Sequence, residues 1–114
     1  MNTYSGERIN GCAEVQVKAE HGPYGSIGPF SLSLRLDLGN HSPTGFEWGY
    51  GGSGPAQLAL AILAHEFGDE FAQDNYQQFK SDVIVSLNNP WTLTSQDLAV
   101  WREKQPQHLP LEQQ

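Results

Sequence analysis

The chain has 114 residues, of which 38% are hydrophobic and 17% charged, enough for one domain around a single modest core. Six basic residues against thirteen acidic ones give a net charge of −7. This speaks against binding DNA, RNA or an anionic membrane, which needs a cationic face, and the lone cysteine, Cys12, excludes an intrachain disulfide.

The first residues, Met1 to Arg8, carry neither the basic nor the apolar segment of a secretion signal. The longest apolar run, Leu58 to Leu63, is far too short to span a bilayer. The expectation is a cytoplasmic protein, in a bacterial cell or in a host cell reached by a mobile element. From Arg8 to Glu20, Ala13, Val15, Val17 and Ala19 alternate with Glu14, Gln16, Lys18 and Glu20, the period of a half-buried strand or strand pair. His21 to Pro29 reads as a loop from its Gly and Pro content. Phe30, Leu32, Leu34, Leu36 and Leu38 then alternate with polar residues, the strongest strand pattern in the chain. Phe46 to Tyr50 reads as a further short strand.

Pro55 to Phe67 is apolar nearly all round and predicts a helix buried on most sides, with Ser53 or Gly54 as its cap and Gly68 as its stop. Asp69 to about Val85 predicts a second helix, with a strand over Asp82 to Leu87 as the alternative for its end. Thr94 or Ser95 opens a third helix, with Asp97 in its first turn and Pro106 as its limit. Strands first and helices after predict an α+β fold, a small antiparallel sheet from the N-terminal half packed against about three helices of the C-terminal half. Residues 1–114 form one domain on this reading, with 105–114 as a flexible tail. A chain this short gains burial by pairing, so a homo-oligomer is expected.

Four glycines fall between Gly49 and Gly54, directly before the buried helix. Backbone N–H groups of Gly51, Gly52, Ser53 and Gly54 at a helix N-terminus can cradle an anion. Trp48 and Tyr50 offer stacking faces, and Gln57 a directional polar contact. A tight turn into a closely packed helix would use the same glycines with no ligand. The spacing is that of neither a P-loop nor a dinucleotide fingerprint, and no base lies between Arg35 and Lys80. Arg8 or Arg35 would therefore have to supply charge across the fold.

The remaining candidates carry less chemistry. His41 beside Ser42 reads as a turn, because adjacent residues rarely present a nucleophile to its base. His65 and Asp69 are two potential ligands one helical turn apart, which is too few for a metal site. His21 and His108 sit in loop-like contexts. Glu66, Asp69, Glu70 and Asp74 form an acidic patch around the turn between the first two helices and suit an arginine-rich partner surface. One or both of Trp91 and Trp101 read as core residues, with an exposed one as a binding hot spot, and Cys12 reads as a packing residue.

The run Asn40-His41-Ser42-Pro43-Thr44-Gly45-Phe46-Glu47-Trp48-Gly49-Tyr50-Gly51-Gly52-Ser53-Gly54-Pro55-Ala56-Gln57-Leu58-Ala59 resembles a motif of an uncharacterised small-domain family found in bacteria, plasmids and phages. Weaker similarity reaches the Tyr76, Phe79, Lys80 stretch and the Trp91, Leu98, Trp101 stretch. The resemblance implies a mobile-element context, in which short acidic proteins often act as inhibitors or sequestering proteins. The leading expectation is a non-enzymatic domain binding a small anionic, nucleotide-derived ligand at the glycine loop, as in sequestering a host defence signal. The alternative is an acidic anti-defence inhibitor, such as an anti-CRISPR protein, docking on a basic protein partner. Neither reading calls for a cofactor or a metal.

Overall fold

The computed structural model describes residues 1–105; Pro106, His108 and nearly all of the expected tail lie outside the described residues. Two strands, β1 (Asn2–Ile9) and β2 (Cys12–Glu20), pair antiparallel from Asn2 opposite Ala19 to Ile9 opposite Cys12. They are joined at Asn10-Gly11, whose φ values of 53° and 83° are those a two-residue type I′ turn demands. The expected strand pair is thus present, but it begins six residues before Arg8. After a one-turn 3₁₀ segment (Gly22–Tyr24), β3 (Ser26–Ser31) pairs with β2, which cuts the expected 21–29 loop short. A fourth strand that the sequence reading did not anticipate, β4 (Trp91–Thr94), pairs with β1 and completes an antiparallel sheet of order β3-β2-β1-β4.

The leucine alternation over 30–38 does not make a strand. The ladder ends at Ser31, and the chain continues as irregular structure and a turn. Arg35 adopts φ 53°, outside the extended region, and the Leu34 carbonyl accepts from a buried glutamine rather than from a neighbouring strand. Leu32 is buried and Leu34 and Leu38 pack partly against the core, so the apolar pattern is used, but by an irregular segment. Phe46 to Tyr50 is likewise not a strand. Phe46 and Trp48 are buried, and the chain is tied down by a bond from the Gly49 N–H to the Ile84 carbonyl of 3.0 Å.

Three helices follow. The first, α1 (Ser53–Phe67), is capped by Gly52 rather than by Ser53 or Gly54 and is buried without interruption from Gly54 to Ala64. Each fully buried Leu or Ile on it contributes roughly 1.5–3 kcal/mol. The second, α2 (Asp69–Asp82), buries Ala72 and Phe79 and gives way to a 3₁₀ turn (Ile84–Ser86) instead of a strand. The third, α3 (Ser95–Glu103), has the expected start: Thr94 and Asp97 form a reciprocal capping box.

Tyr4, Val15, Val17 and Trp91 on the inner sheet face share one core with α1, Phe79 and Trp101, while Glu7, Glu14, Gln16 and Lys18 face outward. The architecture is therefore α+β, with the helices on one side of the sheet. β3 is the exception within the sheet, since every residue of it is exposed. Its Pro29 lacks an N–H, which blunts this edge as a template for further strands.

Gly6 is fixed by close approach, because a Cβ there would overlap the Trp91 indole directly opposite. Gly6→Ala should lower stability by about 1–3 kcal/mol, the usual cost of overpacking, read as a reduced urea midpoint with an unchanged m-value.

Candidate functional site

Packing fixes both ends of the glycine loop, Trp48 and Gly54. Trp48 is 1% exposed. Its ring meets Trp91 edge to face at 5.7 Å, and the Arg8 guanidinium lies 4.5 Å over it. Gly54 is glycine because a Cβ would stand 2.8 Å from the Glu47 Cβ. A bulky residue at 54 therefore displaces Glu47 and tests packing before it tests any ligand. Gly51 and Ser53 are exposed, Gly52 is half-buried, and Tyr50 is 51% exposed.

Gln57, expected to face a ligand, is fully buried. Its Oε1 accepts from the N–H groups of His41 and Ser42 at 2.8 and 3.0 Å. Its Nε2 donates to the carbonyls of Leu34 and Gly39 at 2.6 and 2.9 Å. Both acceptor positions and both donors of the amide are used within the chain. The Ser42 hydroxyl donates to the Gly45 carbonyl at 2.7 Å, so the His41-Ser42 pair is a turn, as its sequence suggested. Cys12, expected to pack, is exposed at the start of β2, whereas Trp91 and Trp101 are buried.

The two expected charge donors are held by different parts of the fold. Arg8 reaches the glycine loop, but its guanidinium is bound to Glu47 at 2.8 Å and to the Trp48 carbonyl at 3.0 Å. Arg35 sits by the α1–α2 turn between Asp37 and Asp69, at 3.0 and 2.9 Å. Hydrogen bonding from Arg35 holds the Asp37 carboxyl below its usual range. Each arginine is balanced by the chain's own carboxylates.

A second constellation gathers where α1 ends. Phe30, Ser31, Leu32, Ser33, Arg35, Ala61 and His65 line a cleft of about 290 Å³ beside the exposed strand β3. The ring of Phe30, 40% exposed, stands 6.1 Å from that of His65. Below the cleft, the Tyr4 hydroxyl lies 2.7 Å from His65 Nδ1 and donates to Glu66 Oε1 at 2.9 Å. Asn2 Nδ2 also donates to Glu66, at 3.0 Å. Burial, and then the charge and acceptor of Glu66, push the Tyr4 phenol well above its ordinary range.

The acidic patch is therefore divided. Glu66 is engaged inward, Asp69 binds Arg35, and Glu70 and Asp74 stand exposed with no salt bridge among the described residues. The described residues contain no cluster of three or more potential metal ligands and no helix long and apolar enough to cross a membrane. Sequence reasoning missed Tyr4 and Phe30 and dismissed His65. The Asn10-Gly11 turn was the signal that β1 exists and that Tyr4 points inward.

Compared with known families, residues 4–104 match a family of unknown function, DUF6166. The match spans most of the chain, which belongs to that family. No curated protein and no solved structure matches significantly.

Two outcomes follow from this geometry. Gln57→Leu leaves four part-buried backbone groups without their partner, so it should cost about 1–3 kcal/mol or more, since some of these groups can turn to water; chemical denaturation with no ligand present measures it. Above about pH 10 an unfolded Tyr4 ionises while the folded one keeps its proton, so stability falls as pH rises. Wild type should lose more of its urea midpoint than Tyr4→Phe between about pH 9 and pH 11.

Proposed function

We propose that this member of DUF6166 is a non-enzymatic docking domain that receives a basic segment of a protein partner. The contact surface on this reading is the cleft between β3 and α1 together with the acidic α1–α2 turn. One observation carries it: the largely apolar cleft has a single charged lining residue, Arg35, which is already bound to Asp37 and Asp69, while Glu70 and Asp74 on the following helix stand exposed with no base paired to them among the described residues. An apolar anchor side chain of the partner would enter beside Phe30, Leu32 and Ala61. Flanking Lys or Arg side chains would meet Glu70, Asp74 and the outer oxygen of Asp69. Apolar anchors supply most of the affinity in such contacts, and surface charge supplies encounter rate and selectivity.

The net charge of −7 favours the same class of partner. An acidic domain of this kind suits the blocking of a basic, nucleic-acid-binding protein, the role its resemblance to mobile-element proteins implied. The reading in which the glycine loop takes a small anion rests on exposed Gly51 and Ser53 beside Tyr50. It lacks an uncommitted cation, since Arg8 and Arg35 are both paired.

Amide NMR titration separates the two. The probe is a glycine-flanked Arg-Leu-Arg peptide, with the Glu-Leu-Glu peptide and inorganic phosphate as controls. Docking predicts shifts at Leu32, Ala61, His65 and Asp69 with the basic peptide alone. It predicts several-fold weaker binding in high salt and after Glu70→Lys or Asp74→Lys. Shifts confined to Tyr50 to Ser53 on adding phosphate would instead support the anion reading and refute docking.

A further inference from the structure

The cleft wall contains a histidine whose hydrogen is placed by a buried phenol. Tyr4 is fully buried, and its hydroxyl oxygen lies 2.7 Å from His65 Nδ1 and 2.9 Å from Glu66 Oε1. An ionised carboxylate only accepts, and a phenol has one proton. Giving that proton to His65 would set a phenol lone pair against the carboxylate at 2.9 Å. The proton therefore goes to Glu66, and the phenol oxygen accepts from Nδ1–H. Asn2 Nδ2 donates to the same carboxylate oxygen at 3.0 Å, which marks that oxygen as an acceptor, and the Asn2 backbone N–H is held by Ser95 Oγ at 2.8 Å. A neutral imidazole has a single hydrogen, so Nε2 is left as a bare lone pair. His65 lines the cleft, and Nε2 has no hydrogen-bond partner among the described residues.

We infer that His65 Nε2 is the specificity-determining acceptor of the cleft and takes a hydrogen bond from an N–H of a basic side chain on the docked segment. Tyr4 and Glu66 are positioning residues that act through His65. This rests on the docking reading and adds to it the atom that reads the ligand. Exposed carboxylates such as Glu70 and Asp74 select positive charge from a distance and without direction. A single oriented lone pair beside Phe30 selects a donor at one place, and a site built for a donor discriminates against an occupant that lacks it. The assignment also gives the buried phenol a reason to be there. A phenylalanine would fill the same volume but would leave His65 Nδ1 without a partner and free the imidazole to take either tautomer.

The test has two parts. Imidazole ¹⁵N spectra of the free protein, taken at a pH where histidine is neutral, read the tautomer directly. Nδ1 should carry the hydrogen of His65 and Nε2 should be pyridine-like. In Tyr4→Phe the signals should move towards the Nε2–H form. Glu66→Ala is a second variant should the first fold poorly: with the acceptor gone, the phenol proton turns to Nδ1 and drives the imidazole hydrogen to Nε2. The second part compares the Arg-Leu-Arg peptide with versions in which one arginine is replaced by citrulline or by norleucine. Tyr4→Phe should weaken the arginine and citrulline peptides several-fold and leave the norleucine peptide unchanged. An Nε2–H tautomer in the wild type overturns the inference whatever the peptides do. An equal loss for norleucine also overturns it, because the phenol would then matter only to shape. No peptide binding with Nε2 bare removes the docking reading and the assigned donor with it.

Discussion

The four hydrogen bonds of the buried Gln57 amide hold the irregular half of this protein to its regular half. The segment from Leu32 to Tyr50 has no ladder and no helix of its own, so its backbone groups need partners elsewhere or must stay in water. One side chain of the most buried helix takes four of them, on both sides of the turn at Leu36 to Leu38. With that loop fixed, Leu32, Phe46 and Trp48 can enter the core, Arg35 reaches Asp69, and the lower rim of the cleft acquires a shape. A buried amide satisfied at every position is costly to disturb and adds selectivity to an otherwise apolar helix. Hydrophobic burial supplies the stability of α1, and Gln57 decides what it is packed against.

Charge is arranged around the same helix. At its start, Arg8 lies over Trp48 and bonds Glu47. At its end, Arg35 bridges two carboxylates and leaves Glu70 and Asp74 to solvent. Gly54 among the glycines before α1 is a packing device: it admits Glu47, and Glu47 holds Arg8. The open, unbalanced surface lies at the far end, where β3 runs exposed beside α1.

The parts legible in the sequence were those governed by local rules. The apolar run from Pro55, the Thr94 cap and the alternation from Ala13 to Ala19 each carry their own period or signal. The leucines from 32 to 38 followed a strand period faithfully and misled, because their backbone partner is a side chain twenty or so residues on and not another strand. β4 is only four residues long and gains its identity from pairing with β1, which no local pattern records. The His65 site was illegible for a similar reason. Tyr4 and His65 are 61 residues apart, and only the inward register of β1 brings phenol and imidazole together. Trp48 and Gln57 had the right composition for a binding loop, but burial is a tertiary property and it placed both inside.

The placement of the three tryptophans has an optical consequence. Trp48, with Arg8 over it, and Trp91 lie together on the sheet side, and Trp101 on α3 donates its indole N–H to Asp82 of α2 at 2.9 Å. None of them lines the cleft by His65. Intrinsic emission is therefore an internal gauge with two separate dials, one for the hairpin and loop and one for the helical layer. Occupation of the cleft would leave both readings still, so a silent fluorescence titration says nothing against a bound partner.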